Sequence, residues 1–253
     1  MAATSAQRWL VRGASRSAQA RLYCFPHGGG SAAEYAGWAR HLPGVEVWAI
    51  QLPGRGTRFK EPAFTSMAQL VPVLVKQVSF RAPFAFFGHS FGTLVAYEVA
   101  RQLRRQNRQL PEYLVLSGYP APHLPRLEQH VHELPDDQLL AEVGGRHGGL
   151  PEEVLTDPQL RALAAGCLRA DYQIVETYVW QEDAPLPMPI TVFTGREDHI
   201  PPHELALWDQ HTTGGVTVRQ FPGGHFYLRE QRAATLRALA GIVRGIGREE
   251  TGR

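Results

Sequence analysis

Cysteine is scarce. Only Cys24 and Cys167 occur in 253 residues, far apart and without paired zinc-like spacing. Neither a disulfide framework nor a structural zinc is expected. Long apolar runs are missing as well. No stretch approaches the roughly 18 residues of a membrane-spanning helix. Residues 1–13 carry Arg8 and Arg12 but no apolar run, unlike a secretory signal. The expected compartment is therefore the cytoplasm, with no membrane contact. Charge of one sign is not in excess: 26 basic residues face 24 acidic ones. Wholesale nucleic-acid binding, which leaves a basic surplus, is not expected. Internal repeats and low-complexity tracts are absent. What is present is 43% apolar residues, enough for a sizeable core, and 25 glycines scattered among short elements.

Seven β-rich runs stand out: 9–12, 21–25, 45–50, 84–87, 112–117, 190–194 and 216–221. Several are apolar throughout, as in strands buried on both faces of a parallel sheet. Helix-like segments at 32–41, 66–80, 91–106, 203–210 and 227–244 separate them. Such alternation predicts an α/β fold with a mostly parallel sheet flanked by helices. The interval 121–189 has no convincing strand. Helical patterns at 135–143 and 157–180 flank a turn rich in glycine (Gly144, Gly145, Gly148, Gly149). A crossover needs far fewer residues. The expected division is a core of 1–120 and 190–253, with 121–189 as a helical lid insertion.

Gly88-His89-Ser90-Phe91-Gly92 matches G-x-S-x-G. The motif follows the apolar run Phe84–Phe87 and precedes a helical pattern. That is the strand–turn–helix order of a nucleophile elbow in an α/β-hydrolase fold. A serine hydroxyl needs a histidine to take its proton, and the histidine needs a carboxylate. In this fold the chain order is serine, acid, histidine. Asp198, after the strand 190–194, is the expected acid, with Glu197 as its rival and a turn-capping role as the plainer reading. His225, in the loop after the last strand, is the expected base among eleven histidines. Neighbouring side chains in a tight elbow point apart, so His89 is not expected to serve. The oxyanion needs two N–H donors. Phe91 follows the nucleophile and supplies one. Gly28, in Pro26-His27-Gly28-Gly29-Gly30-Ser31, supplies the other.

Four arginines, Arg101, Arg104, Arg105 and Arg108, share one helical face by their spacing. A solvated face is the favoured reading, and an acidic partner the alternative. Arg55 and Arg58 are candidates for a phosphate contact or for structural pairing.

Phe25–Ala32 with Tyr35 and Trp38, Leu52-Pro53-Gly54-Arg55-Gly56, the elbow with Tyr97-Glu98, Leu168–Tyr172, Gly195–Asp198 and Gly224-His225-Phe226 resemble one family. Together they resemble the type II, or editing, thioesterases of polyketide and nonribosomal peptide synthesis, over residues 20–240. Two positions depart from that pattern: Gly28, where alanine is usual, and Phe91, where methionine is common. The resemblance implies hydrolysis of aberrant or stalled acyl groups from the phosphopantetheine arm of a carrier protein, through an acyl-serine. It implies carrier-protein partners, a monomer and no metal or redox cofactor. Phe91 is expected to narrow the acyl pocket. A small-molecule carboxylesterase or lipase, or an acyltransferase, would fit the same fold.

Overall fold

The computed structural model describes residues 8–14, 18–124, 130–148 and 150–246. The strands are β1 (Leu10–Arg12), β2 (Ala20–Phe25), β3 (Val45–Ile50), β4 (Phe84–His89), β5 (Tyr113–Ser117), β6 (Ile190–Gly195) and β7 (Val216–Phe221). They form one seven-stranded sheet in the order β1-β3-β2-β4-β5-β6-β7. Only β1 runs antiparallel to its neighbour. The order reverses between β2 and β4, so the loops leaving these adjacent strands diverge. A crevice opens at such a switch point, and ligands bind there in open α/β sheets.

The helices are α1 (Ala32–Ala36), α2 (Met67–Gln77), α3 (Phe91–Arg105), α4 (Asp136–His147), α5 (Glu152–Thr156), α6 (Pro158–Glu176), α7 (Pro202–Ala206), α8 (Tyr227–Glu230) and α9 (Arg232–Val243). Side-chain alternation along the strands feeds two cores. Tyr23, Phe25, Phe84, Phe86, Leu114 and Leu116 pack beneath α2 and α3. On the other face Leu22, Cys24, Ala85, Phe87 and Val115 pack with α1 and α9. Each large side chain buried this way contributes about 1.5–3 kcal/mol of transfer free energy.

Between β5 and β6 only helical segments occur among the described residues, apart from an isolated bridge at Leu186. The helical segments between β5 and β6 share a small core of Val131, Leu139, Leu140, Val143, Ala165 and Leu168. Helix α6 starts where Asp157 accepts hydrogen bonds from the N–H groups of Gln159 and Leu160, with Pro158 at its first position.

Some boundaries differ from expectation. Gly144 and Gly145 lie inside α4 rather than in a turn. Each glycine costs about 1 kcal/mol there. Packing of Leu139, Leu140 and Val143 offsets that cost, and a side chain at Gly144 would press on Leu150. The turn comes at Gly148, at φ 69°, while Gly149 lies outside the described residues. Helix α5 is an addition that the sequence pattern did not suggest. The segment 32–41 divides into α1 and a 3₁₀ turn at 37–41, beginning at Gly37. Segment 202–211 divides likewise, and 227–244 breaks at Gln231. Among the described residues no helix is long and apolar enough to cross a membrane.

Candidate active site

Ser90 sits between β4 and α3 with φ 52° and ψ −123°. A non-glycine residue rarely adopts this backbone, and it costs about 1–3 kcal/mol. The surroundings impose it. The Ser90 N–H donates to the Ser117 carbonyl at 2.7 Å, and the Thr93 N–H to the Ser90 carbonyl at 2.8 Å. The Thr93 hydroxyl accepts from the Ser117 N–H at 3.0 Å, pinning the turn to β5. Gly92 permits the close approach: a Cβ there would lie 2.0 Å from the Phe25 carbonyl oxygen. Helix α3 starts directly behind Ser90, so its positive end faces the site.

Asp198 lies in the turn after β6, with its side chain fully buried. Its Oδ1 accepts from the His199 N–H at 2.9 Å, and its Oδ2 lies 3.0 Å from His225 Nδ1. A carboxylate only accepts, so the His225 proton resides on Nδ1. Nε2 therefore keeps its lone pair; it is buried and has no hydrogen-bond partner among the described residues. Burial alone would raise the Asp198 carboxyl. Hydrogen bonds from His199 and His225 and their charge outweigh it, holding the group well below the usual carboxylate range. Glu197, the rival, is exposed and meets the His225 loop through its backbone.

Ser90, His225, Gly28 and Phe91 line one cavity of about 810 Å³. Val143, His147, Leu168 and Tyr172 of the inserted helices line it too. A Cβ placed on Gly28 would meet nothing closer than 3.9 Å, so either glycine or alanine fits there. The Phe91 side chain is buried in the core beneath α3 while bordering the chamber.

Several site features escaped the sequence reading. The His89 ring lies 4.9 Å from that of His225, although its Nδ1 is tied to Ser117 at 2.9 Å. His147, from α4, lies 4.4 Å from His225 on centroids. Burial holds His89 far below the usual range and His147 at about 3, with the nearby His225 adding to both. Both rings are therefore neutral neighbours. His27 hydrogen-bonds Tyr35 through Nδ1 at 2.7 Å. Arg229 lies 3.3 Å from His27 Nε2 and can only donate, so Nε2 accepts and Nδ1 holds the proton. His89 and His27 stand in the elbow and in the loop after β2, but no local signal places them, or His147 of α4, around His225; the tertiary fold gathers them.

The helical face is only partly the solvated surface expected, with Arg105 exposed and the other arginines partly or fully covered. Arg101 is 1% exposed, bonded to Glu98 at 2.5 Å and to the Gln181 carbonyl. Arg104 and Arg105 grip Asp183 at 2.7 and 2.9 Å. Arg108 donates to the Val75 carbonyl at 2.6 Å. The returning segment 181–185 pairs with Arg101, Arg104 and Arg105, and α2 with Arg108, so all four have partners within the protein although Arg105 stays exposed. Arg55 and Arg58 pair structurally, with Asp171 and Glu61. On α6, Leu160 and Leu163 are more than 40% exposed, whereas Cys167, Leu168 and Ala170 are buried. The helix thus turns Cys167, Leu168 and Ala170 inward and leaves Leu160 and Leu163 outward.

The thioesterase domain family matches residues 20–243. This chain belongs to that family. As a thioesterase it is an enzyme of acyl thioester hydrolysis. It is 35% identical over 230 residues to the gramicidin S biosynthesis protein GrsT of Aneurinibacillus migulanus, covering 89% of this chain and 90% of that one. The solved type II thioesterase BorB of the borrelidin cluster is 36% identical, with a TM-score of 0.78, over 93% of this thioesterase and 96% of BorB. RedJ, a thioesterase of the prodiginine pathway in Streptomyces coelicolor, is 34% identical with a TM-score of 0.81, over 88% and 85% of the two chains.

Proposed function

We propose that this thioesterase is an editing enzyme of polyketide or nonribosomal peptide synthesis. It clears aberrant or stalled acyl groups from the phosphopantetheine arm of carrier proteins, through an acyl-Ser90 intermediate. The observation that carries the reading is the meeting of Ser90, the Asp198–His225 pair and the Gly28 and Phe91 backbones at one chamber. The relatives named for such pathways support it.

Ser90 Oγ attacks the thioester carbonyl while His225 Nε2 takes its proton. The carbonyl oxygen becomes an oxyanion held by the N–H groups of Gly28 and Phe91. Asp198 stabilises the imidazolium. The C–S bond breaks, and the pantetheine sulfur leaves as thiol with the proton from His225. Water then attacks the acyl-serine, His225 takes its proton, and collapse releases the carboxylic acid and restores Ser90. No metal or redox group takes part in this route. The inserted helices form the lid of the acyl chamber. With Arg101, Arg104, Arg105 and Arg108 already engaged, carrier docking uses another face. The protein works as a monomer in the cytoplasm.

Hydrolysis of an acyl-carrier protein, the matching acyl-pantetheine and a p-nitrophenyl ester tests the reading. The carrier-bound thioester is expected to give the highest kcat/KM. Equal rates on all three would instead indicate a small-molecule esterase. Acyl transfer to an added amine or alcohol in preference to water would indicate an acyltransferase. Ser90→Ala should abolish turnover while the fold persists.

A further inference from the structure

Asp171 lies on α6, in the insertion, yet its carboxylate is spent on the core. It is 1% exposed. Its Oδ2 accepts from the Gly29 N–H at 2.8 Å and from Arg55 Nη1 at 2.6 Å, and its Oδ1 accepts from Arg55 Nη2 at 2.6 Å. Gly29 belongs to the loop after β2, and Arg55 to the segment after β3. Leu168, one turn earlier on α6, reinforces the grip. A Cβ on Gly29, which sits at φ +72°, would lie 2.8 Å from Leu168 Cδ2. One helix face thus holds a single loop peptide by a charge-assisted hydrogen bond and by packing.

That peptide joins Gly28 to Gly29 and is planar, so fixing the Gly29 N–H fixes one side of Gly28. The other side is fixed at His27, whose carbonyl accepts from the Gly30 N–H at 2.9 Å and whose ring is held by Tyr35 and Arg229. The Gly28 N–H lies in the His27–Gly28 peptide, so Asp171 reaches it through the turn. The Gly28–Gly29 peptide that it holds is the central one of the turn that the Gly30 N–H closes on His27. The two planes are joined by the two Gly28 dihedrals. Glycine is the residue least able to hold them by itself. Electrostatics points the same way. Asp171 lines the chamber, where a bare carboxylate would oppose a developing oxyanion. Burial alone would lower the Arg55 guanidinium, but its charge and hydrogen bonds with Asp171 outweigh that and keep it cationic. The pair therefore supplies an acceptor for Gly29 without net charge.

We propose that Asp171, held by Arg55, is a positioning residue that aims the Gly28 N–H, so that the oxyanion hole is completed by the inserted helices. This rests on the roles of Ser90, Gly28 and Phe91 given above, but not on a carrier substrate. A small acyl-pantetheine therefore serves as the assay, and a failed carrier preference leaves the outcome readable.

The test replaces the pair together, Arg55→Met with Asp171→Leu. Apolar replacement of a buried ion pair is often neutral for folding, while Gly29 loses its acceptor. We expect kcat to fall about tenfold to a hundredfold with KM within about twofold. The inhibition constant of an alkylboronic acid, which forms a tetrahedral anion on Ser90, should rise by the same factor. Adding Gly28→Ala, which stiffens the backbone where a Cβ fits, should restore part of kcat. Arg55→Leu with Asp171→Met is the second variant, for use if the first double replacement does not fold. Like the first pair, it repacks the site without a carboxylate and leaves the Gly29 N–H without its acceptor, so kcat and boronate affinity should drop together, about threefold or more. A merely structural pair would lower thermal stability and leave both constants of the folded enzyme unchanged. Wild-type kcat and wild-type boronate affinity in either folded variant would overturn the proposal.

Discussion

Mild acid should unfold this protein through histidines that the fold keeps neutral: His89 and His147 beside His225, and two more whose share can be worked out, His27 and His211. His27 sits in the loop after β2, with Glu34, Arg229, His225 and Arg55 around it, and burial above all holds it at about 4. His211 is bonded to Tyr97 at 2.8 Å and to His123 at 2.7 Å, and burial, then His123 and Arg101, holds it at about 4 as well. In the unfolded chain each takes a proton near 6.5. Between those values the unfolded state binds more protons than the folded one. Stability is therefore complete above about pH 6.5 and is lost as the pH falls toward 4. Linkage makes the loss about 2 kcal/mol per histidine at pH 5 and about 3 kcal/mol at pH 4. The two lie in different parts of the fold and add, to about 4 and about 6 kcal/mol. Whole domains are stable by only about 5–15 kcal/mol. Urea unfolding followed by circular dichroism at pH 7, 6 and 5 should show a midpoint that drops steadily. His211→Gln should remove only the His211 share of that drop, about 2 kcal/mol at pH 5, since His89 and His147 titrate in the same sense. An unchanged midpoint between pH 7 and pH 5 would show that these rings take up protons within the folded protein, and would refute the reasoning.

Arg101→Met leaves Glu98 short of its buried partner, which costs about 3–5 kcal/mol. The melting temperature should fall by about 6 °C or more, while KM for an acyl-carrier protein stays unchanged; thermal scanning and steady-state kinetics check the two halves. Asp198→Asn should cut kcat by about 10⁴ through loss of the His225 tautomer, whereas the exposed Glu197→Gln should leave kcat intact; a comparable loss in both would reassign the acid.

The architecture was legible where local chemistry decides it. All seven strand runs lie in the sheet, because unbroken apolar stretches such as Phe84–Phe87 suit burial on both faces. The elbow was legible because glycines must flank Ser90 for α3 to approach β2. Asp198 and His225 were named from chain order, and the fold places them within hydrogen-bond distance across 27 positions. What stayed hidden depends on long-range packing. Helical spacing put four arginines on one face, but could not show that the segment 181–185 returns to pair with three of them. Nor could it pair Asp171 with Gly29, 142 positions away. The closeness of His89 to His225 also went unseen, because elbow geometry says where the backbone turns, not which ring swings across from another loop.

The backbone at Ser90 has an evolutionary consequence. At φ 52° the site favours glycine over every other residue on conformational grounds. The most stable occupant of position 90 is thus one with no hydroxyl at all. Selection for heat tolerance alone would drift toward an inert, better-folded protein, so a screen for robust variants must demand turnover in every round. Only activity keeps the serine in place.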